Sequence, residues 1–393
     1  MQKVPPTSVR RCRTDGFAAY AVKFSPFFPN RLAVAGSANF GLVGNGRLSV
    51  LTTGGAGIGG PVGAHRAGGG AMAMGMGIEK GFDTQDGLYD LAWSEMHENQ
   101  IVTASGDGSV KLWDVALDEF PIRKWHEHAR EVFSVDWNNL QKDLFCTSSW
   151  DCTVKISPLT SRNPPQWTPD RPTSIATIPA HTACVYAAAF APHQPTTLAS
   201  CSTDGQLKVW DTRSPMAATP STVPGQPSTA QAQIAIPAHS TEVLSLDWNK
   251  YQPHLIATGS VDRTIRIHDL RMAGHDQRLP PSNVPVMQPT STVATLLGHE
   301  YAVRRVAWSP HSPNVLGSTS YDMTARIWAI DAGNLGAGGP NTSSFGSAGM
   351  GGGRLMRIYD GHTEFVVGQS WSLFEEGVVA TCSWDQEVHL WNA

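Results

Sequence analysis

Charged residues are scarce in this sequence. Lys, Arg, Asp and Glu together make up 16% of the 393 residues, and the formal net charge is -4. A chain without a basic excess has little to attract the phosphates of nucleic acid or an anionic membrane surface. No run of about eighteen apolar residues occurs, and the amino-terminal MQKVPPTSVRRCR lacks the apolar segment of a secretory signal. We therefore expect a soluble protein made in the cytosol, with no nucleic acid partner and no direct insertion into a membrane.

Cysteine is also sparse. The six cysteines show no CxxC spacing and fall mainly within strand-like segments, at Cys12, Cys146, Cys152, Cys184, Cys201 and Cys382. This pattern predicts buried thiols in a reducing compartment and no disulfide framework. The P-loop, HExxH and GxSxG motifs are absent as well. These absences predict that the chain is not an enzyme, has no catalytic residues, and binds neither a cofactor nor a metal.

The sequence does contain a repeat that is rich in glycine and tryptophan. Its clearest copy, EVFSVDWNNLQKDLFCTSSWDCTVKI at 131–156, predicts a strand, a turn, a second strand, a tight turn and a third strand. Similar copies occupy 87–114, 179–211, 237–270, 297–330 and 361–393, and a degenerate copy occupies 20–52. The recurring order of His, Ser or Thr, turn Asp and Trp-Asp is that of WD repeats. Each unit is too small to bury both faces of its sheet, so it must stack on its neighbours.

Seven copies predict an all-β, seven-bladed WD-repeat β-propeller. The expected blades are approximately 16–53, 81–118, 121–160, 175–213, 234–271, 293–331 and 354–393. The last copy ends at Trp391-Asn392-Ala393 without a fourth strand. We therefore expect approximately 5–13 to close the ring as the outer strand of the last blade, because closure removes exposed sheet edges.

The extra length lies in four low-complexity inserts between blades, at 54–77, 214–233, 272–292 and 332–353. Their Gly, Pro, Ser, Ala and Met content predicts mobile loops. The first insert contains a literal GxGxxG at 55–60, but Pro61 and more glycines follow instead of a helix. We interpret this run as low complexity and not as a dinucleotide site.

Two other groups resemble chemical sites. Each repeat combines a His, a hydroxyl and an Asp, for example His299, Ser318 and Asp322, and their recurrence predicts a structural hydrogen-bond network. That network lacks its usual Trp in two blades, at Ser157 and His268, and we expect those blades to be less stable. His126-Glu127-His128 could offer two imidazoles to a metal, but one structural and one surface histidine is the favoured interpretation.

Function is expected on the ring face formed by the loops before the first strand and between the second and third strands. First-strand positions near this face are Tyr20, Tyr89, Phe133, Tyr186, Leu244, Arg304 and Val367. Residues before the turn Asp are Trp150, Thr203, Val261, Tyr321 and Trp384, and residues just ahead of the first strands are Asp86, Glu131, Glu242 and Phe365. Aromatic rings with separate carboxylates are suited to an amphipathic helix with one basic residue.

Several segments resemble the peroxin 7 family of receptors for type 2 peroxisomal targeting signals. They are FDTQDGLYD at 82–90, EVFSVDW at 131–137, LGH at 297–299 with YAVRRV at 301–306, HTEF at 362–365, and NFG at 39–41 followed by GNGRL at 44–48. The resemblance runs through all seven blades, whereas the four inserts depart from it.

The resemblance implies a cytoplasmic receptor that cycles to the peroxisome. Its ligand would be a nine-residue amino-terminal signal of matrix enzymes, such as thiolase-like cargo: a basic residue, an aliphatic residue, five variable residues, His or Gln, and Leu or Ala. A peroxin 20-like co-receptor and peroxisomal docking peroxins would be further partners. The implied signal-binding residues are Asp86, Tyr89, Glu131, Phe133, Trp150, Tyr186, Glu242, Leu244, Tyr321, Phe365 and Trp384.

A different class of function stays open from the residues alone. Trp210-Asp211-Thr212-Arg213 matches the WDxR pattern of substrate-recognition subunits of cullin ubiquitin ligases, and His268-Asp269-Leu270-Arg271 is a weaker copy. The simpler interpretation is that Arg213 ends a blade, since so short a pattern recurs readily among repeats.

Overall fold

Seven sheets form a ring in the computed structural model of the protein, and each contains four antiparallel strands. The first strand of each sheet packs against the first strand of the next, and the seventh packs against the first. The structure describes residues 2–3, 9–41, 44–54, 75–118, 120–159, 173–214, 218–219, 229–273, 290–331 and 352–393. The prediction of a seven-bladed propeller is confirmed.

Each blade, numbered 1 to 7 along the chain, runs from an inner first strand to an outer fourth strand. The first strands are Ala18–Phe24, Leu88–Trp93, Val132–Trp137, Val185–Phe190, Val243–Trp248, Val303–Trp308 and Val366–Trp371. The second strands are Arg31–Ser37, Gln100–Ser105, Leu144–Ser149, Thr197–Ser202, Leu255–Ser260, Val315–Ser320 and Val378–Ser383. The third strands are Gly46–Thr53, Ser109–Asp114, Thr153–Pro158, Leu207–Asp211, Ile265–Asp269, Ala325–Ile330 and Glu387–Asn392. The fourth strands are Met76–Thr84, Arg123–His126, Ala176–Pro179, Ile234–Ile236, Thr292–Leu296, Gly353–Tyr359 and Arg10–Arg13.

The amino-terminal strand closes the ring, as expected. Arg10–Arg13 pairs antiparallel with Glu387–Asn392, with Arg10 opposite Leu390 and Arg13 opposite Glu387. The strand begins at Arg10 and not near residue 5, and residues 4–8 lie outside the described part of the chain. Gln2–Lys3 also pairs in parallel with Gly353–Tyr359, so the sheet of blade 6 has a fifth strand that the repeat pattern does not predict.

The four inserts lie mostly outside the described residues, as does the GxGxxG run at 55–60. Their described parts contain regular structure, and Gly353 at the end of the fourth insert begins a strand. The outer strand of blade 1 is Met76–Thr84, although blade 1 was expected to end near residue 53 and blade 2 to begin near residue 81. Ala218–Thr219 and Thr229–Ala230 form a small hairpin, and Thr292–Leu296 begins within the third insert.

The hydrophobic core lies between neighbouring blades. Seven clusters of buried side chains each join two adjacent blades, one cluster for every blade boundary. At the boundary of blades 1 and 2, for example, Leu48 and Phe82 pack with Trp93 and Trp113. Complete burial of such a side chain contributes about 1.5–3 kcal/mol relative to exposure, so the stacking of blades supplies the burial that one blade lacks.

Left-handed residues shape the turns between second and third strands. The residue after the turn Asp has a positive φ and is glycine in two blades, at Gly108 and Gly205. In four other blades it is a residue with a side chain, with φ between 63° and 69°, at Cys152, Arg263, Met323 and Gln386. The turn Asp supports this conformation through its own carboxylate, since Asp151 Oδ1 accepts a hydrogen bond from the Thr153 N–H at 3.0 Å.

The recurring polar residues hydrogen-bond one another, which confirms their structural interpretation. His299 contacts Asp322 Oδ2 through Nδ1 at 2.7 Å and Ser318 Oγ through Nε2 at 2.8 Å, and Trp328 Nε1 donates to the same hydroxyl at 2.8 Å. Burial lowers the pKa of His299, although its contact with Asp322 acts in the opposite direction. Equivalent pairs occur at His128 with Asp151, His181 with Asp204, His239 with Asp262, and His362 with Asp385.

The two blades without the usual Trp differ from each other. In blade 5, His268 Nε2 lies 3.0 Å from Thr258 Oγ1, the hydroxyl that His239 also contacts, so an imidazole replaces the missing indole. In blade 3, Ser157 is buried, and Thr147 contacts His128. Reduced stability of these blades stays a prediction, with blade 3 now the stronger candidate because blade 5 keeps its network.

A cavity of about 320 Å³ along the ring axis is lined by charged residues of the first strands. Arg305 Nη2 donates to Asp90 Oδ1 at 3.2 Å, and Asp136 accepts the Phe190 N–H at 2.8 Å. Burial raises the pKa of Asp136 to about 6, against the opposing effects of the Phe190 hydrogen bond and Lys23. Ion pairs and backbone donors thus satisfy this polar interior.

All six cysteines are free thiols, three of them buried. Cys12, Cys152 and Cys184 are only half-buried, so the expectation of buried thiols is wrong for them. Cys152 occupies a surface turn, and Cys12 lies on the outermost strand of its blade. Within the described residues, no helix is long and apolar enough to span a membrane.

Candidate functional site

Every first strand contains a β-bulge near the same face of the ring. The register of the first and second strands shifts around the same position in all seven blades. The bulged residues are Tyr20, Tyr89, Phe133, Tyr186, Leu244, Arg304 and Val367. Bulges redirect side chains next to functional sites. The face that bears them, with the turns between second and third strands, is called the upper face below.

Backbone hydrogen bonds hold the loop before each first strand against the turn of the same blade. The Trp150 N–H donates to Glu131 O, and the Trp384 N–H donates to Phe365 O, both at 3.1 Å. The Val261 N–H makes the same bond to Glu242 O. The two sets of positions predicted from the repeat are therefore neighbours in each of these blades.

Nine aromatic residues of the upper face form one connected group, called the aromatic cluster: Tyr20, Phe40, Tyr89, Phe133, Trp150, Tyr186, Tyr321, Phe365 and Trp384. Its centre is a parallel stack in which Phe133 lies 4.6 Å from both Tyr89 and Trp150, measured between ring centroids. Tyr186 extends the stack at 5.1 Å from Phe133. Such contacts contribute about 0.5–1.5 kcal/mol each beyond area burial, so the rings hold one another in place.

The cluster continues across the junction of the first and last blades. Tyr20 lies 5.2 Å from Tyr89 and 5.6 Å from Trp384, again between centroids. Trp384 contacts Phe365 at 5.2 Å, and Tyr321 contacts Phe365 at 5.0 Å. Aromatic residues from blades 1, 2, 3, 4, 6 and 7 are thereby joined into a single surface.

Two tyrosines are less accessible than the repeat positions predict. Tyr20 is 7% exposed and Tyr89 is 9% exposed, because the turn of residues 38–41 covers them. The Tyr20 hydroxyl donates to Phe40 O at 2.6 Å, and the Tyr89 hydroxyl donates to Gly41 O at 3.1 Å. The two tyrosines therefore pack beneath the surface, and little of either ring is accessible to a ligand.

The same turn supplies a ring that was missed as a site residue. Phe40 is 50% exposed, and its ring centroid lies 5.7 Å from that of Trp384. Asn39 and Phe40 both have left-handed backbones, with φ of 48° and 56°. The Asn39-Phe40-Gly41 segment gave a signal only through its family resemblance, since it lies outside the repeated positions.

The fifth blade contributes little apolar surface to the upper face. Leu244 and Val367 are buried, so the expected exposure of Leu244 is wrong. The Arg304 guanidinium lies over the Tyr186 ring at 5.8 Å, and Nη1 donates to Leu244 O at 3.4 Å. Leu244 is thus buried, and its backbone carbonyl accepts from a buried cation next to the aromatic cluster. Val261 is exposed and Thr203 is half-buried.

Carboxylates lie beside the aromatic cluster in two places. The pKa of Tyr89 is raised by burial and then by the nearby charges of Glu131 and Asp86, which places both acids around the same phenol. The pKa of Tyr186 is raised by burial, with a smaller contribution from Glu242. Arg130 Nε approaches Glu131 at 3.6 Å, and its guanidinium lies 5.6 Å from the Trp150 ring. The carboxylate of Glu131 therefore already has one cationic partner, the partly exposed Arg130, and a basic group of a ligand would bind beside it.

The other candidate sites are structural. His128 occupies the recurring histidine position, and His126 is exposed, as favoured from the sequence. Among the described residues, no group of three His, Cys, Asp or Glu side chains could hold a metal ion. Arg213 is paired to Asp211 through Nε at 3.0 Å and Nη2 at 2.7 Å, and Arg271 is paired to Asp269 in the same way. Both arginines fold back onto the end of their own blade.

Comparison with known proteins identifies related sequences over nearly the full length. The family described as WD domain, G-beta repeat matches residues 80–114, 119–156, 172–211, 231–269, 290–329 and 353–392. The chain is 38% identical over 406 residues to the peroxisomal targeting signal 2 receptor of Saccharomyces cerevisiae, covering 97% of this chain and 99% of the yeast protein. It is 35% identical over 387 residues to the mouse protein of that name, covering 98% and 97%. For the human protein the identity is 35% over 322 residues, covering 82% and 81%.

Proposed function

The chain belongs to the family of peroxisomal targeting signal 2 receptors, and we propose that its aromatic cluster binds the type 2 signal of peroxisomal matrix proteins. A role in peroxisomal import follows from that membership. The single observation that supports the proposal most is the continuity of the aromatic cluster, with Glu131 and Asp86 at one side of it.

The dimensions of the cluster suit a short helix. A helix rises about 1.5 Å per residue, so the two ends of a nine-residue signal lie about 12 Å apart. Successive centroid distances along the cluster are 5.1 Å from Tyr186 to Phe133, 4.6 Å from Phe133 to Tyr89 and 5.2 Å from Tyr89 to Tyr20. Residues seven positions apart share one helical face, so the aliphatic residue and the final Leu or Ala would contact the rings together.

The basic residue of the signal would bind near Asp86 and Glu131. These carboxylates lie close to Tyr89, next to the parallel stack of Tyr89, Phe133 and Trp150. Glu242, beside Tyr186, offers a second acid on the neighbouring part of the face. Charge complementarity of this kind fixes the orientation of the ligand, because apolar contacts alone would allow more than one orientation.

A co-receptor of the peroxin 20 type would cover the bound signal, and docking peroxins would receive the complex at the peroxisome. Support comes from the rim of the site, where Phe40 remains exposed beside Trp384 and Tyr301 is 62% exposed on the loop preceding the first strand of blade 6. A signal helix that contacts one edge of Phe40 would leave the rest of this ring, and Tyr301, available for a second protein. Receptor and cargo would thus cycle between the cytoplasm and the peroxisome.

The direct test is fluorescence anisotropy with a labelled type 2 signal peptide and a second peptide whose basic residue is replaced by alanine. The intact peptide should bind saturably, and the altered peptide should bind at least tenfold more weakly. Equal binding of the two peptides would contradict the assignment of the acids. Affinity purification supplies an independent check, because recovery of a cullin adaptor in place of peroxins would favour the ubiquitin ligase function.

A further inference from the structure

The opposite face of the ring also presents apolar side chains. This lower face is formed by the turns between first and second strands. In six blades the turn begins with a capping residue such as Ser94, whose hydroxyl accepts the N–H groups of Met96 and His97 at 3.1 Å. The second residue after the cap is exposed and apolar in five blades, at Phe27, Met96, Leu140, Tyr251 and Phe374. Exposed apolar side chains scattered singly need no explanation, whereas a concentration of them does.

The exposed residues occur on four successive blades, 7, 1, 2 and 3. We use the term lower-face patch for Leu373, Phe374, Phe27 and Met96 on the first three of these blades, which are 39% to 50% exposed. Leu140 on blade 3 is 47% exposed. On blades 5 and 6 the equivalent side chains are tied to the next blade. Tyr251 donates its hydroxyl to Pro310 O at 2.7 Å, and His311 Nε2 lies 3.0 Å from Ser372 O. The lower-face patch is therefore not a general consequence of the repeat.

Acceptor groups surround this patch. Phe27 and Met96 line a cleft of about 310 Å³ together with Glu98, Asp114 and Gln100. Gln100 Oε1 is buried and has no hydrogen-bond partner among the described residues, which leaves an acceptor that a ligand donor would satisfy. On blade 7, Glu375 and Glu376 directly follow Phe374 and are exposed.

The nearby cation does not balance these acids. Arg31 Nη1 donates to Asn99 Oδ1 at 3.2 Å at the edge of the cleft. Its Nε and Nη2 already bind Glu79 at 3.1 Å and 2.6 Å, and its guanidinium lies 5.0 Å from the Phe28 ring. Arg31 is thus neutralised by Glu79 within the chain, and it does not supply a counter-charge to the exposed Glu98 of the cleft.

We propose that the lower-face patch docks a peptide segment of a second partner protein in which a large apolar residue stands beside a lysine or arginine. The apolar side chain would contact Phe27 and Met96, and the cation would bind Glu98, Asp114 and Gln100 Oε1. A second copy of this chain is a poorer occupant, because its patch would bring like-charged glutamates together. This docking is independent of signal binding on the upper face, so a receptor loaded with cargo could still engage it.

Methyl NMR of the full chain with ¹³C-methyl methionine tests the proposal, with Met96 assigned through a Met96→Leu variant. The probes are acetyl-Lys-Phe-Lys-Leu-amide and acetyl-Glu-Phe-Glu-Leu-amide. The basic peptide should shift the Met96 signal saturably and leave Met323, on an upper-face turn, unchanged. Glu98→Lys should weaken that binding about fivefold, since it reverses one exposed charge of the cleft.

Three results would overturn the proposal. Equal shifts from the basic and acidic peptides would mean that charge has no part in recognition. No shift of Met96 with either peptide would mean that the patch is not a docking site for this chemistry. Dependence of the Met96 signal on protein concentration without peptide would assign the patch to a second copy. Signal-peptide binding by Glu98→Lys should match the unmodified chain, which separates this outcome from any failure of the upper-face site.

Discussion

The upper and lower faces of this ring are built by the same seven first strands, yet their apolar residues are organised differently. On the upper face, bulges bring rings such as Phe133 and Trp150 to 4.6 Å from each other. On the lower face, turns hold Phe27, Met96 and Phe374 largely exposed. An upper-face ligand therefore meets a surface that is already ordered, whereas a lower-face ligand must order side chains as it binds. The difference predicts that the upper face binds its ligand more tightly and more selectively than the lower face binds its own.

Reversal of one upper-face charge should have the largest effect. Glu131→Arg should abolish binding of a type 2 signal peptide, a loss of more than about 3 kcal/mol, because it places a second cation beside Arg130 where the basic residue would bind. The circular dichroism spectrum should not change, since Glu131 is at the surface. Glu98→Arg is the matched control on the lower face and should retain affinity. Unchanged binding by Glu131→Arg would remove this residue from the site.

Removal of the central ring of the stack should follow in size. Phe133→Ala deletes contacts with Tyr89, Trp150 and Tyr186 at once. We expect signal-peptide affinity to fall by about 2 kcal/mol, or roughly thirtyfold, in isothermal titration calorimetry. Phe27→Ala makes the same chemical change on the lower face and should leave this affinity within twofold. Similar losses from both variants would mean that the two faces are not functionally distinct.

A smaller effect is expected at the rim. Phe40→Ala removes an exposed ring that contacts Trp384 but leaves the backbone acceptors of Tyr20 and Tyr89 in place. Peptide affinity should fall about threefold to tenfold, and the melting temperature should stay within about 2 °C because little buried area is lost. A change in melting temperature without a change in affinity would assign Phe40 to the fold alone.

Acidification should have the smallest effect and should act on both faces together. Burial lowers the pKa of His181, His239, His268, His299 and His389, and that of His389 falls to about 4. These groups stabilise the fold above the ordinary histidine pKa of about 6.5, and this stability is lost as the pH falls below that value. The raised pKa of Asp136, about 6, acts in the opposite direction below pH 6.

His254 also has a lowered pKa, and Glu95, like Asp136, has a raised pKa. Because six histidines outnumber two acids, the melting temperature should fall by about 2–5 °C between pH 7 and pH 5.5 in scanning calorimetry. Asp136→Asn removes one opposing contribution and should make the fall steeper. A melting temperature that rises on acidification would contradict the proposed balance.

The repeated part of this molecule could be predicted because the same residue pattern recurs in the sequence of each blade. The recurrence of His, hydroxyl and Asp predicts blades and networks, and an alignment of first strands finds the bulged positions of Phe133 and Tyr186 before any bulge is seen. The missing fourth strand after Trp391 predicts a closing strand from the other end of the chain.

The features that escaped prediction depend on single segments that do not repeat. The turn at 38–41 buries Tyr20 and Tyr89 and adds Phe40 to the aromatic cluster, but its left-handed residues follow no repeat position. Leu244 occupies a predicted position and is nevertheless buried, and the long Arg304 side chain of the next blade donates to its backbone carbonyl. Contacts between side chains from different blades decide exposure, and repeat spacing contains no information about them.

The strand pairing that joins Arg10–Arg13 to Glu387–Asn392 also constrains how this protein is made. A ribosome synthesises residues 10–13 first, and these residues must wait for nearly the whole chain before their partner exists. Six blades can form in order as they emerge, but the seventh lacks its outer edge until both ends meet. Arg10–Arg13 therefore lacks its native partner throughout synthesis, and an unpaired strand of this kind is open to chaperones and competing chains until the ring closes.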